Sequence, residues 1–365
     1  MKINNWISKI NRVRIPRSTY KEFKRLDFAE RIFNFSDKFF STFLKSLKQE
    51  DFITYPSYKE YLLLVNMIGK YLKVNPKKIY FDSGSDCCIK NFIHLFNKDK
   101  HNIISTKPSF PMYKVYSEFY NMNIQYIRYG KNLNIDLNKL VKKINKKTTL
   151  VILANPNSPI GDFKDKKEIN NFCKILNKKK IPLLLDEAYV DFAPHNCLSL
   201  IEDNPNLFIL RTFSKSWGAA GIRLGYIVGN QEIIKKLYNI QLTYPISNIT
   251  LKFGKYLLKN SHVNKKYSSN TILTRNNLCK ILKKNDYDVL NSHTNTIHIH
   301  EKNSNNLRTT KLLLASKFAF KYGSKLTGTT VKIPGDNRTN WIRISVGPNL
   351  DKNRSLLKIF KENNK

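Results

Sequence analysis

Lys215 stands where an amine could do chemistry. It follows Ser214 just beyond an apolar run, Leu207 to Leu210, and precedes the small residues Gly218 to Gly221. Arg223 comes eight residues after it and opens a second apolar run. The pattern reads as strand, loop, strand. An amine that must attack a carbonyl has to be uncharged part of the time, and apolar walls with a neighbouring arginine disfavour the ammonium form through desolvation and like charge. Lys215 is therefore a candidate Schiff-base lysine, although most lysines in so basic a chain are solvated surface charges.

Other polar groups gather at the ends of apolar runs. Ile181 to Leu185 ends on Asp186, Glu187 and Tyr189, and in an open parallel sheet ligands collect at the carboxyl ends of strands. Asp-Glu after such a strand is also the form of a Walker B metal site, but no GxxxxGK[ST] loop accompanies it. Ile79 to Phe81 leads into Ser83, Gly84, Ser85 and Asp86 and then a helix. A strand, a glycine turn and a helix start make an anion site, though serine and aspartate also serve there as plain caps. Leu150 to Ala154 ends in NPNSPIG, Asn155 to Gly161, where two prolines and a glycine fix a turn that presents side chains. Phe110 lies between Pro108 and Pro111 and reads either as a stacking ring or as core. Trp341 to Val346 alternates as WIRISV, which sets Arg343 opposite Ile342 and Ile344 as a carboxylate fork or a strand-edge cation.

Taken together, SKSWGAAGIRLGY, DEAY, NPNSPIG and the SGSD turn resemble the cofactor site of the fold type I, pyridoxal-phosphate-dependent aminotransferases of class I and II. The histidinol-phosphate aminotransferase group is the most similar. The resemblance runs over roughly residues 26 to 347 and implies a role for each position. Lys215 would carry pyridoxal 5'-phosphate, while Ser214 and Arg223, with Ser85 and Asp86, hold its phosphate. Asp186 would keep the pyridine nitrogen protonated, Tyr189 bond the ring oxygen, and Phe110 stack on the ring. Tyr55 of the Tyr-Pro pair would reach the phosphate of the neighbouring subunit in a homodimer, and Arg343 would take the substrate carboxylate. Two positions depart from the family pattern. NPNNPTG is NPNSPIG here, so either Asn157 or Ser158 meets the ring oxygen, and Ala29 precedes Glu30 where the family has Asn-Glu.

The implied activity is transamination, with Lys215, Asp186 and Tyr189 as catalytic groups. It joins an amino acid, glutamate by family habit, to an anionic oxo acceptor, imidazole-acetol phosphate being the first to consider. A pyridoxal-phosphate-dependent amino-acid-phosphate decarboxylase, similar to threonine-phosphate decarboxylase, shares these motifs. So would a non-enzymatic anion-binding protein on a decayed aminotransferase fold, against which the presence of Lys215, Asp186, Tyr189, Arg223 and Arg343 argues.

The elements that must position these residues read as α/β. Apolar strands ending in polar clusters, with helices between, predict a mostly parallel sheet of the seven-stranded type from about 48 to 250, forming the large cofactor-binding domain. Residues 1–47 and 251–365 would make a smaller α+β domain with an N-terminal arm over the first two dozen residues. Ser36 predicts the cap of a helix carrying Phe39, Phe40, Phe43, Leu44 and Leu47 on one face, and Pro56 starts another with Leu62, Val65, Ile68 and Leu72 inward. His298 and His300 share one side of a strand. That spacing suits a metal, but without a matching carboxylate or cysteine they read as solvent-facing.

Composition bounds the rest. A formal charge of +37, from 64 basic and 27 acidic residues, would suggest nucleic acid, yet the lysines are spread through nearly every segment and no nucleic-acid-binding motif appears. Attraction of anionic small molecules is the milder consequence. Five cysteines, at 87, 88, 173, 197 and 279, form no CxxC pair and suit a reducing compartment without a structural metal. No signal-peptide core or membrane-length run is present, so the expected location is the cytoplasm.

Overall fold

The computed structural model describes residues 6–7, 10, 23–130, 133–302, 307–322 and 341–361. Most of the expected N-terminal arm therefore lies outside the described residues. Among these, a seven-stranded sheet has the spatial order Ile79–Ser83, Leu224–Val228, Leu207–Thr212, Leu183–Asp186, Thr148–Ala154, Asn102–Lys107, Asn123–Arg128. Leu224–Val228 runs against both neighbours, and the other pairs are parallel. The architecture is the mostly parallel α/β sheet expected from the sequence. Strands such as Leu183–Asp186 and Leu207–Thr212 are buried along their whole length, as strands covered by helices on both faces must be.

Two apolar layers sandwich this sheet. One holds Phe81, Val151, Leu185 and Ile209, and also draws in Phe43, Phe253 and Leu257 from helices Asp37–Leu44 and Asn248–Lys259. The other holds Tyr80, Ile152, Leu184 and Phe208 under helix Gly84–Leu95. A third layer lies under a four-stranded sheet, ordered Lys321–Tyr322, Ile342–Ser345, Thr296–Glu301, Tyr287–Val289. There Ile297, Ile299, Ile342 and Ile344 pack with Leu26, Leu278 and Phe360. No helix among the described residues is long and apolar enough to cross a membrane.

Two helices differ from their predicted faces. Ser36 does cap Asp37–Leu44, its hydroxyl accepting from the Phe39 N–H. Phe43 is buried and Phe39 packs beside it, but Phe40 and Leu44 remain exposed. In helix Tyr58–Leu72, Val65 and Ile68 are buried while Leu62 and Leu63 are exposed. The apolar arc of each helix is wider than the neighbour it packs on, so part of it stays on the surface.

Candidate active site

The loop after Leu207–Thr212 carries Lys215, whose Nζ donates to the carbonyls of Phe28 and Ala29, both at 3.4 Å. These carbonyls come from the other end of the chain. Ala29 has a left-handed φ of 54°, a conformation in which asparagine is several-fold enriched. Its N–H donates to Ser345 Oγ at 2.8 Å and its carbonyl also accepts from Asn295 Nδ2 at 3.2 Å. The backbone of residue 29 thus holds the lysine, whatever side chain stands there. On the far side, the Ser216 hydroxyl bonds the Asp191 carboxylate, which also accepts from Asn264 Nδ2 at 3.3 Å, tying the loop to helix Ser261–Lys284.

The amine of Lys215 lies 5.3 Å from the centre of the Tyr189 ring. Burial works to raise the Tyr189 phenol, but the charge of Lys215, the Ser158 hydroxyl and Arg343 outweigh it and hold the phenol below the ordinary tyrosine value. Asp186, at the carboxyl end of its strand, is buried. That burial pushes its carboxyl up, offset in part by the Tyr113 hydroxyl, the Ala188 N–H and Lys215. Tyr113 donates to Asp186 Oδ2 at 2.6 Å, and the Ala188 N–H to Oδ1 at 3.0 Å. Asn157 and Ser158 separate clearly. The Asn157 carboxamide is buried, donating to Pro108 O at 3.0 Å and the Tyr129 hydroxyl at 2.7 Å while accepting from Ser109 at 2.9 Å. Ser158 is the member of the pair whose hydroxyl acts on the Tyr189 phenol, holding it down.

An anion cradle lies at the start of helix Gly84–Leu95. Its N-terminus has no side-chain cap, which leaves backbone N–H donors free beside the positive end of the helix dipole. Gly84 has φ +81°, and a Cβ there would collide with the Arg223 guanidinium; a Cβ on Gly225 would collide with the Ser85 N–H. Close approach therefore demands glycine at both positions. Arg223 also donates to Ser214 Oγ at 3.4 Å. Ser85, Ser214 and Arg223 are thus brought together, and the neighbouring Asp86 has a buried Oδ1 without a hydrogen-bond partner.

Arg343 reaches the same region from strand Ile342–Ser345, donating to the Asp27 carbonyl at 3.2 Å and lying close enough to Tyr189 to stabilise its phenolate. Burial lowers the guanidinium pKa, with Tyr189 and Asp27 working against that. Phe110 is 38% exposed and sits edge-on to Tyr113 at 5.6 Å. Tyr55 is 75% exposed and stacks on Tyr244 at 4.1 Å on the surface.

The histidine expectation needs correction. His298 and His300 are buried, not solvent-facing, because the strand's second face is also covered. Among the described residues no trio of His, Cys, Asp or Glu side chains is gathered as a metal would need. Tyr113 is the functional residue that the sequence reading missed. The only signal was its place three residues after Phe110, in the first turn of helix Met112–Phe119.

The donor set fits the cofactor that the sequence resemblance implies. Uncapped N–H groups, a serine and an arginine suit a phosphate, the raised Asp186 carboxyl suits a protonated ring nitrogen whose charge would restore its ionisation, and the Lys215 amine is near enough to Asp186 to act on it. Comparison with known proteins agrees in family. The family model described as aminotransferase class I and II matches residues 34–360. The histidinol-phosphate aminotransferase of Clostridium novyi (strain NT) is 27% identical over 325 residues, 88% of this chain and 87% of that protein. The crystal structure of histidinol-phosphate aminotransferase from Sinorhizobium meliloti in complex with pyridoxal-5'-phosphate superposes with a TM-score of 0.82 at 20% identity, over 99% of this chain and 97% of that one. L-threonine-O-3-phosphate decarboxylase from Porphyromonas gingivalis has the same fold, with a TM-score of 0.73 at 18% identity over 93% of this chain and 98% of that one.

Proposed function

We propose, from the premise that this chain belongs to the class I and II aminotransferase family, that it is a pyridoxal-phosphate-dependent transaminase moving an amino group between an amino acid and an anionic oxo acceptor. The observation that carries this reading is the convergence of Lys215, Asp186, Tyr189 and Arg343 beside the cradle of Ser85, Ser214 and Arg223. Bound pyridoxal phosphate supplies an aldehyde to receive amines and a ring that accepts electrons from the reacting carbon. Lys215 Nζ is the amine that would hold the cofactor and, once freed, carry the substrate's alpha proton as general base and acid. Asp186, kept in register by Tyr113 and the Ala188 N–H, holds a proton on the ring nitrogen. Tyr189, its phenol held down by Lys215 and the Ser158 hydroxyl, would serve the ring oxygen, and the saturated Asn157 buttresses that wall through Tyr129 and Ser109. The backbone N–H groups of Ser85 and Asp86 at the uncapped helix start, with Ser214 and Arg223, would hold the phosphate. Phe110 covers the ring face, and Arg343 forks onto the substrate carboxylate.

Glutamate is the proposed donor. The acceptor is anionic, consistent with the formal charge of +37, and similarity to histidinol-phosphate aminotransferases makes imidazole-acetol phosphate the first to test. The site acts in a homodimer in which Tyr55 serves the neighbouring cradle, a reading supported by its exposure. Borohydride reduction of the yellow enzyme followed by peptide mass mapping should find the adduct on Lys215, and an adduct on another lysine would overturn the assignment. Enzyme loaded with pyridoxamine phosphate and offered a panel of oxo compounds should react with anionic acceptors best. Carbon dioxide release from an amino-acid phosphate would replace transamination by decarboxylation.

A further inference from the structure

His298 is a polar residue that the site as described does not use. Its imidazole is fully buried, and neither ring nitrogen has a hydrogen-bond partner. Leaving a buried polar group unmet costs on the order of 1–3 kcal/mol, and such local conflicts are expected to fall at functional sites. Strand Thr296–Glu301 pairs antiparallel with Ile342–Ser345, and His298 stands directly opposite Arg343. Residues opposite one another in an antiparallel pair project to the same side of the sheet. That side is the polar one, since Ile297, Ile299, Ile342 and Ile344 all face the apolar layer. Of its other members, Thr296 bonds Thr294, Ser345 takes the Ala29 N–H, and His300 Nδ1 meets the Glu301 carbonyl. Arg343 has five donors, and among the described residues it gives one of them to the Asp27 carbonyl.

We infer that His298 is a positioning residue for Arg343: its neutral imidazole accepts a hydrogen bond from the guanidinium when that group swings from the Asp27 carbonyl onto the substrate carboxylate. Burial and the adjacent Arg343 charge hold the imidazole down at about 3, so an acceptor nitrogen is present throughout the neutral range. The inference rests on the reading of Arg343 as the carboxylate receptor, and the test separates the two. Glutarate, a non-reacting dicarboxylate, is titrated by calorimetry into cofactor-loaded parent enzyme, His298→Phe, His298→Gln and Arg343→Leu, each with its melting temperature recorded. His298→Phe keeps the ring and loses the acceptor, and should weaken glutarate about tenfold. His298→Gln restores an acceptor and should recover most of that loss. Glutamate KM should rise in His298→Phe with kcat little changed. Parent-like glutarate binding by His298→Phe, while Arg343→Leu loses it, overturns the inference alone. Equal losses in the Phe and Gln variants overturn it too, since packing rather than acceptance would then be at work. Unchanged binding by Arg343→Leu overturns the reading of Arg343 itself.

Discussion

Tyr113 decides how Asp186 behaves. The phenol is buried and its pKa is raised well above the ordinary value, first by burial and then by the Asp186 charge, so it stays protonated and acts purely as a donor. A hydrogen bond to the charged form favours that form, so the 2.6 Å bond from Tyr113 opposes the burial that pushes Asp186 up. Removing it in Tyr113→Phe should therefore raise the carboxyl further and move the acidic limb of the kcat profile to higher pH. A hydrogen bond to a charged group contributes roughly 1.5–3 kcal/mol, so kcat should fall about tenfold or more while cofactor occupancy changes little. Asp186→Asn should fall much further, since asparagine cannot stabilise a protonated ring nitrogen. Single-turnover rates at saturating cofactor across pH measure both. An unshifted acidic limb in Tyr113→Phe would make the tyrosine a packing residue.

The strands position these residues through one buried ion pair at their ends. Glu187, one residue beyond Leu183–Asp186, accepts from Arg211 Nε and Nη2 at 3.0 and 2.7 Å and from the Cys197 N–H at 2.7 Å, with both side chains buried. The arginine comes from the adjacent parallel strand, Leu207–Thr212. Breaking such a pair from one side strands a charge and costs about 3–5 kcal/mol, whereas removing both charges costs less. Arg211→Met should lower the free energy of urea unfolding by that amount, and adding Glu187→Gln should recover part of it; a double variant no better than the single would deny the coupling. In the sequence nothing marked Glu187 and Arg211 as partners, because their pairing depends on which strands become neighbours. The same limit hid His298 opposite Arg343, whose residues lie 45 positions apart. Lys215, Asp186 and the Ser85 turn were legible for the opposite reason. Each sits where an apolar run stops, and the end of a buried strand needs no partner to be recognised. Helix faces fell between: the period marked the apolar arc of Asp37–Leu44, but how much of it is covered depends on the neighbour.

At the scale of the molecule, those uncovered arcs are not alone in exposing large apolar side chains. Phe40, Leu44, Phe52, Leu62 and Leu63 are exposed, and Ile53, Tyr55 and Leu242 are more than 70% exposed. Several of these belong to consecutive elements, Asp37–Leu44, Glu50–Ile53 and Tyr58–Leu72. Tyr55, between the last two of them, stacks on Tyr244 in the segment ahead of helix Asn248–Lys259. Apolar surface of this extent marks an interaction face, and a second copy is the occupant that would also bring Tyr55 to a cradle. Two copies each carrying +37 repel, and that repulsion is screened within about 10 Å at 0.1 M salt, while apolar burial is not weakened by salt. The dimer should therefore tighten as sodium chloride is raised from about 0.02 to 0.3 M, opposite to an association held by ion pairs. Ile53→Lys, which adds charge at the most exposed part of the face without touching the cradle, should weaken the dimer by tenfold or more and lower transamination in step, because Tyr55 would be withdrawn from the neighbouring site. Sedimentation velocity at several protein and salt concentrations reads the association, and activity is measured on the same samples. A monomer at all concentrations that keeps full activity would remove Tyr55 from the mechanism. A dimer that loosens with salt would place the interface elsewhere, on charged rather than apolar surface.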